Sequence, residues 1–371
     1  MQSLSVVMEN YLATKSALGG KARNANTPDQ ISISKTLPQF FIDVLERVER
    51  REAFKVEGSY GQGNIAGVPW IGIFNLDITT SAQNGYYIVL LFSEDMKSCY
   101  LSLNQGVTTL KNTYGLEVAL HKLRGAAELA LEAFVPAAGT IKGPIDLKAS
   151  RALGKGYQRG AIESFRYDFS ALPTPGSLES DFRSLLGHYD TLANRVGPSL
   201  QALVPVNETQ FQQAVLEKAT ATTKKDSPRF VEPAGGVPAS PKQANGGSWK
   251  YPRDPLVAAE AVKSAGYRCE LFPEHQTFKS SSKNVPYVEA HHLIPLSRQG
   301  DFQFSLDITA NIIALCPTCH QRLHHGHASE KRSPLRKLLS QRKGRLLEKK
   351  ILIEEQALLR MYSKDLLDNE A

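Results

Sequence analysis

The chain has 371 residues, of which 42% are hydrophobic and 22% are charged. This length predicts two or three domains, and the composition is that of an ordinary folded protein rather than a disordered one. The sequence contains no run of 18 or more apolar residues and no basic N-terminal segment followed by an apolar core. We therefore expect a cytoplasmic protein, neither secreted nor inserted in a membrane.

The net charge of +7 is unevenly distributed along the chain. Residues 1–218 hold 21 Lys and Arg against 21 Asp and Glu, whereas residues 320–350 hold ten Lys and Arg against only Glu330 and Glu348. A localised basic surface is expected where a polyanion binds. The distribution predicts a nucleic acid partner for the C-terminal part.

Apolar residues recur first at helical spacing, then in short runs typical of strands, and then at helical spacing again. The predicted elements are, in chain order, helices at 4–18 and 37–48, strands at 68–74, 86–92 and 100–103, and helices at 117–134 and 178–192. Gly-rich turns separate the strands. We therefore predict an α+β protein whose residues 1–218 form a mixed α/β domain with a mostly antiparallel sheet.

Residues 219–249 differ in composition from the rest of the chain. Thr, Lys, Pro, Ala, Gly, Ser and Asn dominate there, and few side chains could be buried in a core. Such a composition predicts a flexible linker. It would connect the domain at 1–218 to a second domain at 250–371.

Cysteine and histidine are concentrated together in the second domain. Seven of the nine histidines lie between His275 and His327, and so do two of the four cysteines, Cys316 and Cys319. Disulfides would not explain the histidines, whereas a metal site would. The two thiols of a Cys-x-x-Cys turn can reach one tetrahedral ion, and an upstream pair could complete it. We predict a structural Zn²⁺ held by Cys269, His275, Cys316 and Cys319.

Two adjacent histidines, His291 and His292, lie in an apolar stretch. The stretch predicts a strand that ends in a turn at Pro295. Neighbouring histidines can divide their roles, one holding a metal and the other taking a proton from water. Asn311 follows, and His320 comes directly after Cys319. Single histidines are more often solvated residues, which is the simpler interpretation of His324, His325 and His327.

This arrangement over residues 265–327 resembles the HNH, or ββα-metal, endonuclease family. The family pattern is a His-rich strand, an Asn about twenty residues later, and Cys-x-x-Cys-His opening a helix. The resemblance implies that His291 and His320 hold the catalytic metal, that His292 is the general base, and that Asn311 orients it. His291 stands where the family often has Asp, so the divalent ion could be Mg²⁺ or Mn²⁺, or softer Ni²⁺ or Co²⁺. An inactive HNH fold that only binds DNA is the alternative.

A basic helix is predicted beyond this centre, over residues 331–350. Its leucines recur at helical spacing, and Arg and Lys fill the other face. Such a face is often only solvated, but beside a nuclease centre it would contact phosphates without reading sequence. The predicted backbone contacts are Arg322, Arg332, Arg336 and Lys337.

The most unusual part of the first domain is the Gly-rich segment 57–70, which ends in Pro69 and Trp70. The pattern Gly-x-x-x-x-Gly-Lys-Ser/Thr occurs nowhere in the chain, so we expect no nucleotide. From the residues alone, a turn beside a core tryptophan would explain the segment. A loop this rich in glycine could also approach a ligand closely and offer it an aromatic wall.

The same region resembles the N-terminal DNA-binding domain of McrB-type modification-dependent restriction proteins. The similarity is carried by residues 58–63, 68–70, 78–87 and 100–106. That family recognises 5-methylcytosine by turning the base out of the duplex into an aromatic pocket. The resemblance implies a pocket wall of Trp70, Tyr87 and Leu91, with Tyr60 nearby and Gln62 where the family has a second aromatic. The modified base expected first is 5-methylcytosine, and the second candidate is 5-hydroxymethylcytosine.

Together these features predict a bacterial modification-dependent restriction endonuclease. Its partner would be double-stranded DNA carrying modified cytosine, bound without a nucleotide or a membrane. One HNH centre cuts one strand, so double-strand cleavage suggests a homodimer or two sequential nicks. Two alternatives remain open from the sequence: an HNH restriction enzyme that reads an unmodified sequence, and a non-catalytic reader of modified DNA.

Overall fold

The computed structural model describes residues 2–221, 232–245, 248–281 and 283–362. By its internal contacts the chain divides into two compact units. The first contains Met1–Asn112 and Ala119–Val204, and the second contains Thr113–Val118 and Pro205–Ala371. Within the described ranges, no helix has the length and apolar character needed to cross a membrane.

The first unit is built on a six-stranded sheet. Its strands are β1 (Phe54–Ser59), β2 (Trp70–Asn75), β3 (Tyr86–Phe92), β4 (Ser98–Gln105), β5 (Ile141–Lys142) and β6 (Glu163–Asp168). They pair antiparallel in the order β1–β2–β3–β4–β6–β5. The helices that precede residue 204 are α1 (Gln2–Ala17), α2 (Pro28–Ile31), α3 (Leu37–Arg47), α4 (Thr108–Tyr114), α5 (Leu116–Leu131), α6 (Ala152–Gly160) and α7 (Pro175–Val196).

The predicted fold class is confirmed for this unit. The helices predicted at 4–18, 37–48, 117–134 and 178–192 correspond to α1, α3, α5 and α7. The strands predicted at 68–74, 86–92 and 100–103 correspond to β2, β3 and β4, which form the centre of the sheet. Hydrophobic periodicity therefore located these elements because each buries a complete apolar face.

The two faces of the sheet bury different side chains because side chains alternate along a strand. Ile88 of β3 points into a core that it shares with Phe41 of α3. The opposite face is aromatic: the ring centroids of Trp70 and Phe74 lie 6.3 Å apart, and those of Phe74 and Tyr87 lie 4.9 Å apart. This second face supports the cavity described below.

The second unit contains α8 (Glu208–Ala219), β7 (Gln243–Asn245), β8 (Ser248–Lys250), α9 (Pro255–Ser264), β9 (Glu289–His292), β10 (Ile312–Leu315), α10 (Pro317–His325), α11 (Ala328–Glu348) and α12 (Glu355–Met361). Strands β9 and β10 form an antiparallel pair. One face of this pair, with Ala290 and Ile312, packs on α8 and α9. The other face carries His291 and Ile313, and Ile313 packs in a core with Leu323 of α10.

Helix α8 belongs to the second unit, whereas we predicted it inside a first domain ending at residue 218. Its apolar residues Phe211 and Val215 pack against Ala258 and Val262 of α9. The buried Gln212 side chain also pairs with the open edge of β9: its amide donates to the carbonyl of Ala290 (2.7 Å) and accepts from the same residue's N–H (2.8 Å). The division between the units therefore falls at Val204, not at 218.

Replacing Gln212 with Ala is expected to destabilise the second unit by about 2 kcal/mol or more. The change leaves the buried N–H and C=O of Ala290 without partners, and each such group costs about 1–3 kcal/mol. Chemical denaturation followed by circular dichroism measures the change. Gln213→Ala, at the exposed next position of α8, is the matched control and should be nearly neutral. Equal stability of the two variants would contradict this role of Gln212.

The segment predicted as a flexible linker, 219–249, contacts the second unit at several of its described residues. The N–H of Ser305 donates to the carbonyl of Val237 (2.8 Å), and Pro238 forms an isolated bridge with Phe304. Upstream, the Glu232 carboxylate accepts from the Thr309 N–H (2.7 Å). Glu232, Val237 and Pro238 of the predicted linker are thus held on the second unit, by contacts that composition could not reveal. Residues 222–231 of the predicted linker lie outside the described residues.

Candidate active site

The four residues predicted to hold zinc come together at the start of α10. Cys316 is the N-cap of that helix, and Nδ1 of His275 lies 3.5 Å from the sulfur of Cys316 and 3.4 Å from that of Cys319. Cys269 completes the cluster, in which all four ligand atoms lie within 4.8 Å of one another. The three cysteines are buried and unbridged.

The chemistry of this cluster fits a metal. Burial, with the Cys316 hydrogen bond and the nearby charge of Cys269 as further causes, raises the pKa of the Cys319 thiol well above its usual range. Without a cation, the Cys319 thiol would therefore stay protonated. Zn²⁺ binds thiolate sulfur and imidazole nitrogen in tetrahedral sites of this kind, and binding releases the thiol protons.

A second cluster consists of three histidines, one from β9 and two from α10. His291 projects from β9, and His320 and His324 lie four residues apart on α10, so that they share one face of the helix. Their ligand atoms lie within 4.8 Å of one another, and Nδ1 of His291 is 3.1 Å from Nε2 of His324. All three side chains are buried, with at most 1% of each residue exposed.

The histidine cluster also fits a divalent ion. Burial, reinforced by His320, His324 and His292, lowers the pKa of His291 well below its usual value, so its imidazole is neutral, which is the ligand form. Nδ1 of His320 and Oε2 of Glu289 are buried 2.9 Å apart, yet neither has hydrogen-bond geometry to any partner. Three protein ligands with further coordination positions open are typical of catalytic rather than structural sites.

His324 is the member of this cluster that we did not predict. We predicted only His291 and His320 as ligands and interpreted His324 as a solvated residue. The signal was present in the sequence as the four-residue spacing from His320, which places both rings on one helical face. The burial of His324 could not be known before the packing of α10 on β9.

The predicted general base, His292, lies on the opposite face of β9 from His291. Its Nε2 is 2.9 Å from Oδ1 of Asp307. Asp307 is itself held in place: its Oδ2 accepts from the N–H of Asp254 (2.7 Å), and its own N–H donates to the Ser305 hydroxyl (3.1 Å). An ionised carboxylate only accepts, so this contact assigns a proton to Nε2 of His292, and in the neutral imidazole the lone pair is then on Nδ1.

We had predicted that Asn311 orients the ring of His292. Its side chain instead makes all of its hydrogen bonds to other groups. Its amide oxygen accepts from the Ile294 N–H (2.8 Å), and its amide nitrogen donates to the carbonyls of Ile294 and Leu306, each at 2.9 Å. All of these contacts are to backbone. Asn311 therefore fixes the chain just after β9, and Asp307 is the residue that orients the His292 ring.

The four predicted phosphate contacts differ in their surroundings. Arg336 pairs with Glu355 (2.7 Å), and Lys337 donates to the carbonyl of Leu271 (2.6 Å) and lies 4.7 Å from the ring centroid of Phe272. These two side chains are occupied within the unit, which weakens their assignment as phosphate contacts. No ion pair is found for Arg322 or Arg332 with any residue in the described ranges. Arg332 is exposed and Arg322 is half-buried.

The first unit contains a cavity of about 700 Å³ beside the Gly-rich segment. Trp70 and Gln62, both predicted pocket residues, line it. So does Tyr157 of α6, which we did not predict. The remaining lining comes from the 57–68 segment, the 81–83 turn, Glu94, Thr108 and residues 149–154.

Three of the predicted pocket residues lie behind this lining rather than in it. Tyr87 is buried against Phe74 and donates its hydroxyl to the carbonyl of Ala82 (3.1 Å), while Leu91 is the strand partner of Trp70. Tyr60 packs its ring on the core of the unit. Tyr87 and Leu91 support the wall that Trp70 presents, because they share its sheet face, whereas Tyr60 packs on the core at the other face.

Comparison with known proteins matches two parts of the chain to two domain families. Residues 20–194 match the family model described as MrcB-like, N-terminal domain, and residues 275–326 match that of HNH endonuclease. The chain therefore joins an MrcB-like N-terminal domain to an HNH endonuclease domain, as the sequence resemblances predicted.

One curated relative is named "Type IV methyl-directed restriction enzyme EcoKMcrA", from Escherichia coli (strain K12). It is 41% identical over 75 residues, which are 20% of this chain and 25% of the relative. The chain thus spans about a quarter of the length of the curated relative it matches.

Proposed function

We propose that this protein is a modification-dependent restriction endonuclease of the bacterial cytoplasm. Its first unit would bind double-stranded DNA containing 5-methylcytosine, and its second unit would hydrolyse a nearby phosphodiester bond. The observation that carries the proposal is the presence, in one chain, of a cavity in an MrcB-like domain and a buried histidine cluster in an HNH domain.

For the reader unit, the proposal is that the modified base is turned out of the duplex into the cavity behind the Gly-rich segment. Extruding a base costs a few kcal/mol of stacking and pairing, which stacking in a pocket has to offset. Trp70 supplies an aromatic face, and the amide of Gln62 can hydrogen-bond the base edge. Burial raises the pKa of Tyr157 to about 12, so its hydroxyl remains a neutral donor at the back of the site. 5-Hydroxymethylcytosine is the next base to test.

For the nuclease unit, His291, His320 and His324 would hold the divalent ion, Mg²⁺ or Mn²⁺, or Ni²⁺ or Co²⁺. A bound ion supplies Lewis acidity that neutralises charge on the scissile phosphate and the leaving 3′ oxygen. Three imidazole ligands favour the softer ions of this set. The zinc held by Cys269 and its partners would keep α10, and hence His320 and His324, in place against β9.

His292 would act as the general base. Asp307 holds the ring through Nε2, so Nδ1 can take a proton from the attacking water. The water oxygen then bonds to phosphorus as the bond to the 3′ oxygen breaks. The imidazolium that forms is stabilised by the Asp307 carboxylate. Phosphate contacts from Arg322 and Arg332 would position the backbone, and a homodimer would allow both strands to be cut.

The decisive experiment compares one plasmid, with and without cytosine methylation at defined sites, in the presence of Mn²⁺ or Mg²⁺. We expect cleavage only of the methylated plasmid. Equal cleavage of both would mean that the enzyme reads an unmodified sequence. Binding without cleavage of the methylated plasmid, under every ion tested, would mean that the protein is a reader and not a nuclease.

A variant separates the two units in this test. Trp70→Ala removes the aromatic face, and base stacking on such a face is worth about 1–3 kcal/mol, so binding to methylated DNA should weaken by about 10-fold or more. Residual cleavage should no longer distinguish the two plasmids. A Trp70→Ala protein that still prefers methylated DNA as strongly as the wild type would rule out this cavity as the base site.

Chelation or loss of the zinc is expected to unfold the second unit. Cys319→Ser removes one thiolate, and structural zinc contributes about 10–16 kcal/mol to small domains, as much as most domains have in total. Zinc content per chain and thermal unfolding measure the effect. Cys99→Ala, a buried thiol of the first unit, is the control and should keep one zinc per chain. Retention of a full zinc by Cys319→Ser would contradict the assignment.

A further inference from the structure

Tyr362, the residue that follows α12, is in contact with the histidine cluster. The residue is 2% exposed, and its ring packs in the core of the second unit with Leu358. Its hydroxyl lies 2.9 Å from Nε2 of His291, 2.9 Å from the carbonyl oxygen of Leu293 and 3.2 Å from that of His292. Thus one hydroxyl contacts a proposed metal ligand and the backbone of the proposed base.

The donors and acceptors around this hydroxyl allow one arrangement. The phenol has a single proton to donate, and two of its three neighbours are carbonyl oxygens, which only accept. If the proton went to His291, both carbonyls would face the phenol oxygen with no hydrogen between them. Both the phenol and the His291 ring form a hydrogen bond when the phenol donates to the carbonyl of Leu293 and accepts from Nε2–H of His291. This arrangement requires the Nε2–H tautomer of His291.

This tautomer determines which nitrogen of His291 is available for a metal. With the proton on Nε2, the lone pair is on Nδ1, the atom that lies 3.1 Å from Nε2 of His324. Two nitrogen ligands about 2.1 Å from one ion and roughly at right angles to each other are about 3.0 Å apart. The hydroxyl of Tyr362 thus leaves unprotonated the one nitrogen of His291 that faces the other ligands.

We propose that Tyr362 is a positioning residue, which holds His291 as the Nε2–H tautomer so that Nδ1 can bind the catalytic metal. Outer hydrogen-bond partners of metal-bound histidines commonly set the tautomer and ring orientation. The effect on metal binding rests on the proposed function, whereas the tautomer of His291 does not. Nothing about the C-terminal position of Tyr362 in the sequence indicated this role.

The test is the Tyr362→Phe variant of the full-length protein. It is prepared with zinc in the Cys/His cluster and no metal in the histidine cluster. Long-range ¹H–¹⁵N spectra distinguish the two histidine tautomers, and the His291 signals are assigned by their loss in His291→Gln. We expect pure Nε2–H in the wild type, and a shift towards Nδ1–H in Tyr362→Phe, where Nε2–H loses its acceptor. Mn²⁺ affinity, measured by calorimetry, should fall about 10- to 100-fold.

Tyr267→Phe is the matched control, because it removes a hydroxyl of the same unit that donates to a backbone carbonyl, that of Ala219 at 2.7 Å. It should change neither the tautomer nor the Mn²⁺ affinity. An Nδ1–H tautomer in the wild type overturns the proposal, even if Tyr362→Phe does not fold. An unchanged tautomer in Tyr362→Phe also overturns it. A shifted tautomer with no Mn²⁺ binding by the wild type would confirm the role of Tyr362 on His291 and reject the proposed metal centre instead.

Discussion

Replacing His292 with Ala is expected to lower the rate of cleavage of methylated DNA by about 10²- to 10⁴-fold, the usual contribution of a general base. DNA binding should not change, since the proposed base pocket lies in the other unit. Zinc content should also stay at one per chain, because His292 is not one of the four residues of the Cys/His cluster. Single-turnover cleavage with protein in excess measures the effect on the chemical step alone.

Asp307→Asn tests proton transfer to His292 by changing which ring nitrogen of His292 carries the proton. Asn has one acceptor oxygen, and the N–H of Asp254 already donates to that side of the residue. Satisfying this donor turns the Asn amide hydrogens towards Nε2 of His292, which would then have to accept. The proton of His292 would move to Nδ1, the atom that we propose takes the proton from water. We therefore expect a loss approaching that of His292→Ala, about 10²- to 10⁴-fold.

The control for this change is Asp301→Asn. Asp301 is an exposed carboxylate on the same segment, 3.9 Å from Arg298, and its replacement should leave cleavage within about twofold, since exposed ion pairs contribute little. If Asp307→Asn cleaves as fast as Asp301→Asn, then Asp307 does not orient a catalytic histidine. If His292→Ala is as active as wild type, the base is another residue.

His324→Ala is expected to abolish binding of the catalytic ion while preserving the structural zinc. Losing one of three imidazole ligands should weaken Mn²⁺ binding at least about 100-fold, more than the loss of an outer hydrogen bond. Cleavage should fall about 10³-fold at moderate metal concentration, because roughly 4 kcal/mol of charge stabilisation is lost. Calorimetric titration with Mn²⁺ and a separate assay of zinc content measure the two sites independently.

His325→Ala provides the comparison for this variant. His325 follows His324 on α10 but is exposed, and it is not in the histidine cluster. Its replacement should retain Mn²⁺ affinity and activity. Normal Mn²⁺ binding by His324→Ala would show that His291 and His320 hold the ion without it, as the sequence alone had predicted.

Features that are local in sequence were predicted well. The four residues predicted to hold zinc lie together in the structure, because a Cys-x-x-Cys turn places two thiols side by side whatever the rest of the fold does. The strands around Tyr86–Phe92 and the helices were located because each buries a periodic apolar face. The motif alone was enough to place His291 near His320 and to group the four residues of the Cys/His cluster.

Features that depend on packing were not predicted. Asp307 reaches His292 from fifteen residues away, and Tyr362 reaches His291 from seventy-one, so that no spacing links them. Whether Tyr87 or Tyr157 lines the cavity depends on which side of the sheet wall each ring occupies. The partners of Asn311 could not be predicted because the motif gives its position but not its contacts, which are all with backbone groups.

The pairing of Gln212 with β9 has a consequence for rebuilding this protein from parts. A nuclease fragment cut at residue 250, as composition suggests, would lose α8 and leave the edge of β9 and the apolar surface around Ala258 exposed. Unpaired strand edges pair with strands of other chains, and exposed apolar surface promotes aggregation. A transplantable cutting module, to be fused to a different DNA reader, should therefore begin near Pro205.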